Sequence, residues 1–368
     1  MAEFREPYIR RVMSGQARGP IAGLLRGGLR LAEWPYSAAS RLRNRFFDRG
    51  IYTARSSELP VISVGNITVG GTGKTPFVQY LAGRLVERGH KVAVLSRGYG
   101  GKGGPNDESR VLSRHLGVGV VQFWGADRVA LCSQAAGSRC DVVLLDDGFQ
   151  HRWLVRDLDI VLIDALCPFG YGRVFPRGLL REALSGLSRA DLLVITRADL
   201  VDPGDVKDIE MDLAERAPDV PVVLTAFRAD GFEALSDRAR HDVNGLKGRK
   251  GFCFCGVGNP GSFARLAEGS GIVPVGWRVF ADHQDYTSRH LVALDAAAAK
   301  AGAELILTTE KDAVKLPSDF PWHYPLYALC LRTEVLRGQE LLDRLVTDAV
   351  RLRAHGRDAV RPGGKRET

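Results

Sequence analysis

Apolar positions follow a helical rhythm near the N-terminus and an alternation of strand and helix afterwards. Ile21, Leu24, Leu25, Leu29 and Leu31 recur at mostly helical spacing, and Pro35 is expected to interrupt them. A second segment, Tyr36 to Phe47, sets Tyr36, Ala39, Leu42, Phe46 and Phe47 among Arg41, Arg43 and Arg45, the pattern of an amphipathic, Arg-rich helix. Such a helix either lies on an anionic lipid surface or packs its apolar stripe on the protein's own core, and the pattern fits both.

From Pro60 the period changes. Val61–Val64 reads as a buried strand, Thr75–Arg88 as a helix stopped by Gly89, and Lys91–Leu95 as the next strand. Further apolar runs at Val118–Phe123, Val142–Leu145, Ile160–Ile163 and Leu192–Ile195 extend the series. This alternation, with the Gly-rich stretch Thr68–Thr75 between its first strand and first helix, predicts an α/β fold, a P-loop NTPase-like parallel sheet with helices on both faces. Past a turn-rich zone around Arg238–Lys250, a second α/β series runs through Gly251–Cys255, Ser262–Glu268, Val275–Phe280, Ser288–Ala301 and Glu304–Thr308. A last helix is expected over Glu334–His355. The expected organisation is a basic amphipathic segment over 1–55, a nucleotide-binding lobe over 56–235, a smaller lobe over 236–355 and a disordered basic tail over 356–368.

Charge sharpens the reading of the ends. The net charge is +8, but residues 1–50 hold ten Arg against four acidic residues, and residues 349–368 hold six Lys or Arg against two. The intervening chain has 35 basic residues against 37 acidic. A nucleic-acid groove would carry its cations on the folded body, so nucleic acid is not the expected partner; an anionic membrane surface met by the termini is. The six cysteines lie mostly inside apolar runs such as Phe252–Cys255, which suggests buried thiols rather than a disulfide framework or a thiolate metal site. No run reaches the ~18 apolar residues of a membrane span, and no signal peptide is expected.

The candidate chemistry begins at Thr68, Val69, Gly70, Gly71, Thr72, Gly73, Lys74 and Thr75, directly after a buried strand and before a helix. Glycines let backbone N–H groups turn toward phosphate oxygens, and the helix adds its N-terminal dipole. Lys74 would reach the β- and γ-phosphates, the Thr75 hydroxyl would hold Mg²⁺, and Pro76 suits a first helical turn. The usual pattern asks for Gly where Thr68 stands, so the turn there must be made differently. The strand Val142–Leu145 then ends in Asp146 and Asp147; Asp146 is a candidate to complete the Mg²⁺ shell, and an Asp-Gly strand end is the plainer reading. Thr196-Arg197-Ala198-Asp199 is similar to the guanine-reading Thr-Lys-x-Asp of GTPases, with Arg197 in place of Lys. A GTPase or metallochaperone, and a catalytically silent nucleotide-binding membrane protein, therefore stay open beside a kinase.

Several segments together resemble one family. They are Val64-Gly65-Asn66-Ile67 before the loop, Ser96-Arg97-Gly98-Tyr99-Gly100-Gly101, Asp146-Asp147-Gly148-Phe149-Gln150-His151, Arg181-Glu182, Asp282-His283-Gln284-Asp285-Tyr286-Thr287, and Thr309-Glu310-Lys311-Asp312-Ala313-Val314-Lys315. They resemble the tetraacyldisaccharide 4′-kinases of lipid A synthesis, over roughly residues 30–330. The resemblance implies ATP and Mg²⁺ as cofactors and a lipid A precursor disaccharide in the membrane as acceptor. It implies a peripheral site on the cytoplasmic face of the inner membrane. It also implies that Asp107, in Asn106-Asp107-Glu108-Ser109, works on the acceptor hydroxyl, that His283 pairs with it, and that Lys74 and Arg181 act on transferring phosphate. Glu108, Asp147, His151 and Glu182 are further candidates.

Overall fold

The computed structural model describes residues 8–98, 107–115, 117–282 and 284–354. His283, the segment 99–106 and the expected tail 356–368 lie outside the described residues. Contacts between residues divide the chain into two compact units. Of the described residues the larger takes 8–98, 115, 117–226 and 334–354, and the smaller takes 107–114, 227–282 and 284–333.

The larger unit starts with a short helix, α1 (Tyr8–Ser14), and a 29-residue helix, α2 (Pro20–Asp48). Pro35 does not break α2 into the two segments expected from the sequence. It stands at an exposed position, where water can take the carbonyl that loses its partner, so the cost of an internal proline is reduced. Next come β1 (Val61–Asn66), α3 (Lys74–Glu87) and β2 (Val92–Ser96). The chain then forms α4 (Asp107–His115), which belongs to the smaller unit except for its last residue, before β3 (Val120–Trp124), α5 (Arg128–Gly137) and β4 (Val142–Asp146). β5 (Leu158–Asp164), β6 (Leu192–Thr196) and α6 (Pro203–Arg216) follow, and β7 (Val222–Ala234) begins here and continues into the smaller unit. The strand order is β7-β6-β5-β1-β4-β2-β3 with parallel pairing throughout, as the sequence pattern predicts. Strands β1, β2, β4 and β6 are buried along their whole length, which is why they read as unbroken apolar runs.

In the smaller unit β8 (Arg240–His241) pairs antiparallel with β7. β9 (Lys250–Cys255), α7 (Pro260–Gly269), β10 (Val273–Val279), α8 (Ser288–Lys300), β11 (Leu305–Thr309), α9 (Glu310–Ala313) and β12 (Leu326–Arg337) complete it in the order β10-β9-β11-β12-β7. Two differences from the sequence expectation stand out. The division falls at residues 226 and 227, before the turn-rich zone. The expected helix from Glu334 is instead the end of β12, and the helix starts after Gly338, as α10 (Gln339–Ala354), grouped with the larger unit. Strand pairing overrides the helical propensity of Glu334-Val335-Leu336-Arg337 until Gly338, at φ 90°, turns the chain. Five of the six free cysteines are buried, and burial pushes the Cys255 thiol up to about 12, which keeps it protonated.

Candidate active site

β1 delivers the chain to the loop, and the turn that lacks its first glycine is made by pairing. Thr68 forms an antiparallel bridge with Leu180, Val69 N donates to the Leu179 carbonyl at 2.6 Å, and Arg181 N donates to the Ile67 carbonyl at 2.8 Å. A strand-like clamp therefore replaces the backbone freedom of glycine at Thr68. The loop spends that freedom further on. Gly70 has φ 126° and Gly73, the residue before α3, has φ 87°, both in the left-handed region that side chains disfavour.

Asn66, the last residue of β1, braces the loop from inside. Its Nδ2 donates to the Thr68 carbonyl at 2.8 Å and to Thr72 Oγ1 at 3.0 Å, and its Oδ1 accepts from Lys74 Nζ at 3.3 Å. The Thr196–Asp199 segment braces it from the other side. Thr196 Oγ1 donates to the Thr72 carbonyl at 3.0 Å, and Arg197 Nη2 donates to the Gly71 carbonyl at 3.0 Å. Asp164 holds the same guanidinium at 2.7 Å. In this structure the segment compared with a guanine reader supports the phosphate loop.

Lys74 is buried at the start of α3, where the helix dipole opposes a cation. Compensation comes from Asp147, whose Oδ1 lies 3.4 Å from Lys74 Nζ. Arg181 Nη1 donates to both Asp147 oxygens, at 2.9 and 2.8 Å. Burial works to raise the Asp147 carboxyl, but Lys74 and Arg181 outweigh it and hold it down at about 2. Asp147, the residue after β4, thus faces the loop lysine. Asp146 is buried at the strand end, with Val64 of β1 as its register partner.

Around this centre the sequence candidates gather unevenly. Glu182, 1% exposed, accepts from Gln150 Nε2 at 3.0 Å and from Arg189 Nη2 at 2.9 Å. Among the described residues His151 Nε2 is buried without a hydrogen-bond partner, and the ring is pushed down to about 4 by burial and then by Arg128 and Arg156. It is neutral near pH 7. Arg128, at the first turn of α5, is buried and donates to the Asp146 carbonyl at 3.4 Å. Sequence reasoning missed Arg128, Asn66 and Gln150 as site residues. For Asn66 a signal existed, a polar residue closing an otherwise apolar strand; for Arg128 only the Asp127 cap before α5 was visible.

The smaller unit holds the other candidates. Asp107 and Glu108 form the first turn of α4, where the helix dipole favours carboxylates. Lys315 Nζ lies 3.9 Å from Asp107 Oδ2 and 3.1 Å from Asp312 Oδ1. Asp312 is fully buried and accepts from Tyr286 Oη at 2.9 Å, from Gly256 N at 2.9 Å and from Thr309 Oγ1 at 2.7 Å. Asp282 pairs with Lys311 at 3.2 Å. The Asp282–Thr287 and Thr309–Lys315 segments, far apart in sequence, are therefore joined.

The family model described as tetraacyldisaccharide-1-P 4′-kinase matches residues 25–351 of this chain. The chain belongs to this family. Among its relatives, the tetraacyldisaccharide 4′-kinase of Desulfotalea psychrophila is 38% identical over 82% of this chain and 92% of its own length. That of Geobacter sulfurreducens is 37% identical over 89% and 95%. The crystal structure of LpxK from Aquifex aeolicus in complex with ATP matches with a TM-score of 0.69 at 29% identity, covering 89% of this chain and 99% of that one. The family match begins inside α2 and ends inside α10, and so takes in both units. GTPase and metallochaperone readings are not favoured by this membership.

Proposed function

We infer that the chain performs the reaction of its family, transferring the γ-phosphoryl group of ATP to the 4′-hydroxyl of tetraacyldisaccharide 1-phosphate in lipid A synthesis. The observation that carries the phosphate side is Lys74, buried at a helix N-terminus, braced by Asn66 and facing Asp147 with Arg181. Lys74 and Arg181 share the carboxylate of Asp147 at the positive end of α3, so the arrangement is poised for polyphosphate. Backbone N–H groups from Gly70 to Thr75 cradle the phosphates, Lys74 follows the transferring group, and Arg181 neutralises charge beside it.

The hydroxyl of Thr75 and the carboxylate of Asp146 are hard oxygen donors, the set that suits Mg²⁺. When bound, the ion would neutralise charge on the phosphate oxygens. Asp107 takes the proton of the acceptor hydroxyl as attack develops, since a sugar hydroxyl is far too weak an acid to ionise beforehand. His283 orients that carboxylate. Glu108 and His151 are further candidates for the reaction, and Glu182 supports the phosphate side.

The acceptor is acylated, and α2 supports a membrane partner. Ile21, Leu24, Leu31, Trp34 and Leu42 are exposed on this helix, with Arg30, Arg41 and Arg45 exposed among them. Only Ala22 of α2 is buried. Among the described residues no helix is long and apolar enough to cross a membrane. Interfacial binding at an anionic surface, the cytoplasmic face of the inner membrane, fits these facts. The deciding experiment incubates the protein with γ-labelled ATP and the precursor disaccharide in detergent. Label is expected in the lipid, and unlabelled lipid would refute the reading.

A further inference from the structure

Helix α2 reaches the network behind the phosphate loop through Asn44. Asn44, near the C-terminal end of α2, donates from Nδ2 to Glu182 Oε2 at 2.7 Å. Glu182 is a buried carboxylate with three donors, Asn44 and Arg189 on Oε2 and Gln150 on Oε1. Gln150 Nε2 also donates to the Asn66 carbonyl at 3.0 Å, at the base of the loop, and Gln150 Oε1 lies 3.4 Å from Arg181 Nη1. Arg181 in turn holds Asp147, and Asp147 faces Lys74.

We propose that Asn44 is a positioning residue of the phosphate site, so that α2 belongs to the catalytic framework as well as to the surface that meets lipid. The proposal rests on the phosphate-site reading given above. A buried carboxylate keeps a fixed orientation only while its oxygens are evenly satisfied. Without the Asn44 amide, Oε2 is left to Arg189 alone, and the carboxylate swings toward that cation. Oε1 then withdraws from Gln150, which loosens both its bond to the Asn66 carbonyl and its grip on Arg181. The main chain at this point is also fixed, because Arg152 Nη1 donates to the Asn44 carbonyl at 3.1 Å. The amide is thus delivered by an anchored turn of helix.

The test compares Asn44→Ala with Arg49→Ala in detergent, where no bilayer is present and docking plays no part. Arg49 is exposed, follows α2 and caps it through its backbone N–H, which the substitution keeps. Two readouts are taken, kcat for label transfer and affinity for a fluorescent ATP analogue, with thermal melting as a control on folding. Asn44→Ala is expected to lower kcat about tenfold and analogue affinity severalfold, with Arg49→Ala near wild type in both. In the Asn44→Ala/Glu182→Gln double variant the losses are expected not to add, as for two members of one network. Wild-type kcat in Asn44→Ala, or an equal drop in Arg49→Ala, overturns the proposal. If the wild type itself transfers no label, the functional reading fails, and analogue affinity alone then decides: unchanged in Asn44→Ala, it overturns the positioning role as well.

Discussion

Lys74 and Asp107 each stand at the first turn of a helix, yet they are held in opposite ways. Lys74 is a cation where the dipole of α3 is positive, and it is tolerated because Asn66 and Asp147 face it. Asp107 is an anion where the dipole of α4 welcomes one, and a cation, Lys315, stands 3.9 Å away. The lysine therefore carries a structural cost that points to an anionic ligand, whereas the aspartate would be stable there with or without a reaction to perform.

Substitution at Lys74 should break the comparison most. Lys74→Ala is expected to cut label transfer by about 10³-fold and to weaken ATP-analogue binding, since the cation serves both ground state and transition state. Asp107→Asn should separate the two halves: a loss of about 10²-fold in kcat with analogue affinity retained. Equal loss of nucleotide binding in that variant would mean that Asp107 supports the fold of its unit rather than the acceptor chemistry. For the membrane surface, replacing Leu24, Leu31 and Trp34 by Glu should reduce sedimentation with anionic vesicles by about tenfold or more, because each apolar side chain contributes ~1.5–3 kcal/mol on burial. Unchanged sedimentation would remove α2 as the lipid contact.

The smallest effect concerns His151. Its ring is held near a pKa of about 4, below the ordinary value of about 6.5, so the unfolded chain binds more protons in that window. The stability this ring confers is therefore complete above about pH 6.5 and declines as pH falls toward 4. His151→Asn should flatten that part of a denaturation-versus-pH curve by a measurable amount while leaving the neutral-pH midpoint nearly unchanged. The same slope in both proteins would show that the acid response comes from other groups.

The parallel sheet of the larger unit was legible because buried strands and Gly-stopped helices repeat at short range. The phosphate loop was legible for the same reason, since one strand, three glycines, a lysine and a threonine lie within a few residues of one another. Pro35 and Glu334 misled, because an exposed helix turn and a strand partner from elsewhere in the chain overruled local propensity.

By itself the sequence determined the loop, the carboxylates at the end of β4 and the family they belong to. Tertiary structure alone decided that Thr68 is clamped by Leu180, that Arg197 braces the loop, that Asp147 faces Lys74, and that Asn44 reaches Glu182. The physical reason is separation along the chain. Hydrogen bonds and ion pairs between residues far apart in sequence leave no local period, and they take form only when the packed sheet brings their partners within 3 or 4 Å.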